Sequence, residues 1–318
     1  MKTVVITGCL GFIGFHLTKK CLEKGYRVFG IDSETYAANT EVLGALLKVE
    51  KFSYLKSDIS TLSKIPDCDY VINTAAETHV GNSIIDSDKF VQTNIEGVHN
   101  LLKKIALKPS NVNARPILMQ VSTDEVYGDI VSGSHDEESS LNPSNPYSAT
   151  KAAADLLIKS WNRTHGVDYI IVRPTNNYGP FQYPEKLIPI CVKQLQRGKK
   201  IRLHDNGDPV RVWLHVEDTC EAIIKIMESG QKNEIFNVSG GFEQKNLITV
   251  KKILESFFKG VPWSTNKKHL DLTHSRKGQD VRYSIDDSKL RSLGWSPQRD
   301  FDEEIENIVK FYKNNFRW

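Results

Sequence analysis

Two neighbouring acids, Asp124 and Glu125, follow the hydroxyl pair Ser122-Thr123 at the end of an apolar run, Ile117-Leu118-Met119-Gln120-Val121. The run reads as a short buried strand. On a solvated loop two adjacent carboxyls need do nothing. In open α/β sheets, however, ligands collect in the crevice outside the carboxyl ends of strands, which is where this pair stands. Farther along, Pro146 opens a helical stretch that carries Tyr147 and Lys151. Residues four apart share one helix face. A lysine ammonium beside a phenol lowers the phenol pKa from about 10, so Tyr147 is expected to act as a base nearer neutrality. The spacing alone is common and takes its meaning from the elements that must hold it.

The first of those elements is at the N-terminus. Thr3-Val4-Val5-Ile6-Thr7 reads as a β-branched strand running into Gly8-Cys9-Leu10-Gly11-Phe12-Ile13-Gly14, then a helix from Phe15 to about Lys24, then a second strand closing on Asp32. Gly8 permits a tight turn, Gly11 a close approach of backbone to a pyrophosphate, and Gly14 close packing of helix on sheet. The helix N-terminus offers N–H groups to phosphates. Asp32 suits a ribose diol and repels a 2′-phosphate, which favours NAD over NADP. The alternation continues with strands over 52–55 and 70–73, ending in Asp58-Ile59 and Thr74-Ala75-Ala76, and a helix over 88–107 that carries Asn94. Strands alternating with helices imply a parallel sheet. The expected fold is α/β, a Rossmann-type doubly wound parallel sheet (1–174) with a smaller C-terminal α/β substrate-binding domain (175–318) interleaved with it.

The chain has 318 residues, enough for two lobes. Its formal net charge of +3 gives no reason to expect nucleic acid or a membrane surface as partner. Five scattered cysteines without a Cys-x-x-Cys pair, and histidines without His-x-x-x-His spacing, point to reduced thiols and no metal site. With no apolar run long enough to span a bilayer and strand-like sequence from Lys2 onward, a cytoplasmic protein is expected.

Longer motifs carry a resemblance over nearly the whole length. The Gly-x-x-Gly-x-x-Gly spacing resembles the extended short-chain dehydrogenase/reductase family. Ala75-Ala76-Glu77-Thr78-His79-Val80, Ser122 to Gly128, Asn145-Pro146-Tyr147-Ser148-Ala149-Thr150-Lys151, Asn176-Asn177-Tyr178-Gly179-Pro180 and Pro184-Glu185-Lys186-Leu187-Ile188-Pro189 resemble the nucleotide-sugar 4,6-dehydratases, the dTDP-glucose and UDP-glucose enzymes among them. The resemblance implies NAD held by Gly8, Gly11, Phe12, Ile13, Gly14, Asp32, Asp58, Ile59, Ala75, Ala76, Asn94, Tyr147 and Lys151. It implies that Tyr147, aided by Thr123, takes the sugar 4-OH proton, that Glu125 removes the C5 proton, and that protonated Asp124 donates to the departing 6-OH. Mutual repulsion in a shielded site separates the two carboxyl pKa values as this requires. The same matching gives Thr78, His79, Asn176, Asn177, Lys186, Leu187, Arg211, Asn246 and Arg276 as substrate contacts, with the two arginines suited to a diphosphate. A homodimer is also implied. His215 and Glu217-Asp218 read as structural, the acids opening a helix.

The chain departs from the family pattern at Gly81-Asn82-Ser83, at Val212 and at Gln279. Asn82 and Thr78 lean towards UDP-linked sugars. Gly81 is expected to leave room beside the sugar, which brings in UDP-N-acetylglucosamine, with possible inversion at C5, beside UDP-glucose and dTDP-glucose. The rival on the same scaffold is a nucleotide-sugar 4-epimerase or decarboxylase. Epimerases need no acid pair, and decarboxylases typically keep Ser where this chain has Asp124.

Overall fold

The computed structural model describes residues 1–108, 115–276, 278 and 280–315. The expected helix break at Pro109 and the altered contact at Gln279 lie outside the described residues. The first half runs β1 (Thr3–Thr7), α1 (Phe12–Glu23), β2 (Arg27–Asp32), the short α2 (Leu43–Leu46), β3 (Phe52–Lys56), β4 (Tyr70–Asn73), α3 (Val80–Ile85), α4 (Asp88–Val91), α5 (Val98–Ala106), β5 (Ile117–Val121), α6 (Pro146–His165) and β6 (Tyr169–Pro174). The second half runs β7 (Asn176–Tyr178), α7 (Leu187–Gln196), β8 (Ile201–His204), β9 (Val210–His215), α8 (Val216–Glu228), β10 (Glu234–Val238), β11 (Phe242–Lys245), α9 (Asn246–Phe257), α10 (Trp263–Asn266), β12 (Leu270–His274), α11 (Ser288–Ser292) and α12 (Phe301–Asn314).

Seven strands form one sheet in the order β10-β6-β5-β4-β1-β2-β3, every pairing parallel. Such a sheet is buried on both faces, so its strands read as continuous apolar runs. In β1, Val4, Val5 and Ile6 are all fully buried. Successive side chains point to opposite faces. Val4 and Ile6 accordingly pack with Leu17 and Cys21 of α1 and Ile223 and Met227 of α8, while Val5 packs with Leu101 and Ile105 of α5 and Ile158 of α6. This two-sided covering is the doubly wound architecture. The chain re-enters it after residue 174: β10 closes the sheet edge, and α8 lies against α1, with Lys20 reaching Glu221 at 2.8 Å. The remaining C-terminal elements build a smaller body of α7, α9 and α12 around Tyr178, Trp213 and Phe301, with sheets β11-β9-β7 and β12-β8.

The helix expected over 88–107 is interrupted. Between α4 and α5 lies a π-helical turn, Gln92–Gly97, a feature found frequently at functional sites. The wider turn carries Asn94 into the interior, where its side chain accepts from Glu77 N and donates to Glu77 O, each at 3.0 Å. Gly97 closes the turn because a Cβ there would meet Ile59 at 2.6 Å. Helix α1 also starts earlier than expected, at Phe12.

Candidate active site

The glycine turn sits where β1 ends. Gly8 has φ of +70°, and a Cβ on it would approach Ala75 N to 2.7 Å. A Cβ on Gly14 would lie 2.0 Å from the Gly8 carbonyl oxygen, so only glycine lets α1 pack this close. Gly11 caps α1 without a side-chain hydrogen bond, which leaves the first N–H groups of the helix open for an anion. A cleft of about 490 Å³ runs from this turn past Asp32, Asp58, Ile59, Ala75 and Ala76. The Asp32 carboxylate is fixed by Leu10 N at 2.9 Å and Glu34 N at 2.8 Å, and burial raises its pKa. Its remaining lone pairs suit ribose hydroxyls, and the acid beside it, Glu34, disfavours a further phosphate. Asp58 accepts from Ser60 N and Oγ at 2.8 and 2.7 Å. These residues fit a dinucleotide of the NAD type. Asn94 stands behind the cleft wall, also donating to Thr150 Oγ1 at 3.0 Å, so that it fixes the Ala75–Glu77 segment from the rear.

Past Gly8 and Gly11 the cleft opens into a chamber of about 230 Å³ lined by Phe12, Ile13, Gly14, Thr78, Thr123, Asp124, Glu125 and Tyr147, among others. After β5 the chain turns through one 3₁₀ turn, Asp124–Tyr127. Thr123 starts it: its Oγ1 accepts from Glu125 N at 3.3 Å and donates to Asp124 Oδ1 at 3.2 Å. Thr123 and Tyr147 line the same chamber. Helix α6 begins at a capping box in which Asn145 accepts from Ser148 N at 3.0 Å. That cap, with Tyr147 N donating to Ser83 Oγ at 3.2 Å, sets the tyrosine in the chamber.

The two acids differ electrostatically. Burial, and next the Glu125 charge, push Asp124 up to about 8. Its Oδ2 is buried and without a hydrogen-bond partner among the described residues, ready for a hydroxyl. Burial also raises Glu125, but Arg211 and Lys186 oppose it, and Tyr283 donates to its Oε2 at 3.3 Å. Asp124 is therefore the proton holder. One expectation is corrected. The Tyr147 pKa is raised, first by burial and then by the Glu125 charge. The Lys151 ammonium donates to the Val121 carbonyl at 2.7 Å and is itself pushed down to about 8 by burial, with Asp155 pulling the other way. In the protein alone, therefore, burial and then the Glu125 charge set the direction of the phenol pKa, and the lysine does not.

Toward the second lobe a third chamber, of about 460 Å³, is lined by His79, Asn176, Asn177, Lys186, Leu187, Arg211, Asn246 and Arg276. Glu125 and Lys186 border both chambers. Arg211 lies over the Tyr283 ring at 4.7 Å and donates to the carbonyls of Val210 at 2.7 Å and Asp280 at 3.1 Å. Lys186 Nζ donates to Thr78 O at 2.7 Å. Arg276 Nε and Asn246 Oδ1 are buried and without partners among the described residues. Lys186, Arg211 and Arg276, together with unsatisfied polar atoms in the same chamber, are what a diphosphate and its nucleoside require.

Gly81 does not border these chambers. The space beside it is filled by the His79 imidazole, which a Cβ would meet at 3.0 Å, so the expected enlargement of the sugar pocket is absent. Val212 is buried in β9 opposite Glu243. His215 caps α8 by accepting from Glu217 N at 3.2 Å, and Glu217 pairs with His16 at 2.8 Å, a structural role for each. Sequence reading missed Tyr36, Gln182, Glu185, His204, His274 and Tyr283 in the chamber walls. It also missed Asp155 and Arg173, an ion pair of 3.0 Å beneath the catalytic turn, where Ser122 Oγ donates to Asp155 at 3.0 Å. A charge inside the apolar run of β6 is the one signal that pointed to Arg173.

Comparison with known proteins agrees with this geometry. A model of the GDP-mannose 4,6 dehydratase family matches residues 5–308. The low-salt glycan biosynthesis protein of Haloferax volcanii is 36% identical, covering 97% of this chain and 98% of that protein. The dTDP-glucose 4,6-dehydratase of Streptomyces niveus is 36% identical, covering 99% and 94%. A solved structure, a double mutant of a Streptomyces venezuelae dTDP-glucose 4,6-dehydratase with NAD bound, superposes with a TM-score of 0.90 at 35% identity, covering 98% of this chain and 97% of that one. The chain belongs to the GDP-mannose 4,6 dehydratase family and is a nucleotide-sugar 4,6-dehydratase of the extended short-chain dehydrogenase/reductase type.

Proposed function

We propose that this enzyme converts a pyrimidine nucleoside-diphosphate hexose to its 4-keto-6-deoxy form, with Thr123, Asp124, Glu125 and Tyr147 as the groups that touch the reacting atoms. The observation that carries the reading is the proton-holding Asp124, its Oδ2 without a partner among the described residues, next to a cation-shielded Glu125, in one chamber with Tyr147. NAD is the cofactor, held along the Gly8–Gly14 turn, Asp32 and Asp58. Bound there, it supplies a hydride acceptor for C4, a donor for C6 later in the same turnover, and a positive charge that favours the Tyr147 phenolate.

Tyr147, aided by Thr123 in the same chamber, takes the 4-OH proton. The 4-ketone acidifies the neighbouring C5–H, and Glu125 removes that proton as general base. Asp124 gives its proton to the leaving 6-OH, so that water departs. Glu125 then returns a proton to C5, and no net redox change remains. Lys186, Arg211 and Arg276 hold the diphosphate. A 4-epimerase has no use for a proton donor placed as Asp124 is.

For the nucleotide, dTDP is the first choice, supported by relatives of that name at about the same identity over the whole chain. UDP is the second, supported by Thr78 and Asn82. With the space beside Gly81 filled by His79, glucose is favoured over N-acetylglucosamine. The enzyme works in the cytoplasm as a homodimer. Offering dTDP-glucose, UDP-glucose and UDP-N-acetylglucosamine separately, and following each by NMR, tests the reading. The expected result is a 4-keto-6-deoxy product from dTDP-glucose without accumulating NADH. A 4-epimer, or stoichiometric NADH, refutes dehydration.

A further inference from the structure

The three chambers form one trough, and Tyr36 stands where the first passes into the second. Its ring lines the cofactor cleft, while the next residue, Ala37, lines both chambers. The Tyr36 hydroxyl donates to Glu185 at 2.8 Å, and the ring meets Tyr183 edge-on at 5.2 Å. A tyrosine that is 50% exposed gains little from burial, yet this one is held by two side chains of a distant segment, Tyr183 and Glu185. Its own loop is anchored at both ends, by Asp32 to Glu34 N at 2.8 Å and by Asn39 N to Leu10 O at 2.8 Å. On the far side Glu185 is followed by Lys186, which ties to Thr78 O and borders the diphosphate chamber.

We infer that Tyr36 and Glu185 form a strap across the trough that retains NAD while sugar nucleotides exchange, and that a diphosphate held at Lys186 tightens it. The inference rests on the NAD and nucleotide-sugar reading of the trough. A cofactor recycled in every turnover must outlast many substrate exchanges. The inner wall of the cleft is main chain, fixed where Gly8 meets Ala75. The Tyr36–Glu185 contact is made by side chains and opens without breaking a strand pairing. Because Glu185 and Lys186 are adjacent, any ligand that steadies the lysine steadies the strap. Tyr36 is in this sense a positioning residue.

The test is the rate of NAD release from the holoenzyme, followed by NAD remaining with the protein after rapid gel filtration, with and without dTDP or UDP as a non-reacting diphosphate. In the native protein the diphosphate slows release. Tyr36→Phe, which keeps the ring, speeds release about fivefold, the worth of one half-exposed hydrogen bond, and abolishes the slowing. Glu185→Ala, which removes the acceptor, does the same from the other side. Release from Tyr36→Phe at the native rate overturns the strap, as does slowing by the diphosphate that is equal in native and variant protein or absent from the native protein. Each of these leaves the dehydration reading intact, whereas a native protein that holds no NAD overturns both.

Discussion

Asp124 and Glu125 are joined by one peptide bond, yet the Oδ2 of one is buried without a partner among the described residues and the other faces Arg211, Lys186 and Tyr283. The difference assigns donor and base, and it makes two predictions. Glu125→Gln abolishes solvent exchange at C5 and lowers kcat by about 10²-fold or more, the usual worth of a general base. Deuterium incorporation from heavy water checks this, and retained exchange moves the base elsewhere. Asp124 holds its proton up to about 8 in the folded chain, against 3.8 for the free group. The folded state therefore binds more protons than the unfolded one between these values, and stability falls as pH rises through that window. The stabilisation is whole below about 4 and gone above about 8. Asp124→Asn, neutral at every pH, flattens this part of the stability profile in urea unfolding at pH 5, 7 and 9. A native protein that gains stability across the window contradicts the assignment.

Tyr147 owes its place to the start of α6. Asn145 caps the helix and Ser148 returns the bond, Pro146 fixes the first helical residue, and Ser83 within α3 receives the Tyr147 amide. Asn145→Ala is expected to cost about 1 kcal/mol of stability, the value of a lost N-cap. It also lowers kcat more than it raises KM, because the tyrosine shifts while the diphosphate chamber stays intact. Unfolding curves and steady-state kinetics on the same preparation check both. An unchanged kcat separates the cap from catalysis. The π turn at Gln92–Gly97 acts in the same way at the cofactor end, since Asn94 reaches the main chain of Glu77 only because the wider turn carries it inward.

The seven-stranded sheet and the smaller sheets β11-β9-β7 and β12-β8 are interleaved along the chain, with β10 and α8 returning from the C-terminal half to close the first body. The trough therefore lies between parts that the chain visits alternately, and it is lined from both. The faces of α4 and α6 turned from the sheet keep Val91 at 39% and Leu156 at 56% exposure, more apolar surface than a solvated helix face calls for. In the proposed homodimer these helices meet their copies. Leu156→Lys is expected to convert a particle of two chains to one in sedimentation. A native protein already sedimenting as one chain removes the proposal.

The glycine turn, the strand ends, the acid pair and the Tyr147–Lys151 spacing were legible in the sequence because each is local: a turn needs a small residue, and a helix repeats every four. Composition and alternation likewise determined a doubly wound sheet. The tertiary structure alone decided which way each group is tuned. Lys151 was expected to lower the Tyr147 pKa, but its ammonium turns to the Val121 carbonyl, while burial and then the Glu125 charge raise the phenol. Gly81 was expected to widen the sugar pocket, but His79 fills the space. Tyr36 and Glu185, Asp155 and Arg173 meet across many residues of chain. Burial and long-range pairing set charge in a protein interior, and neither is encoded by neighbours in sequence.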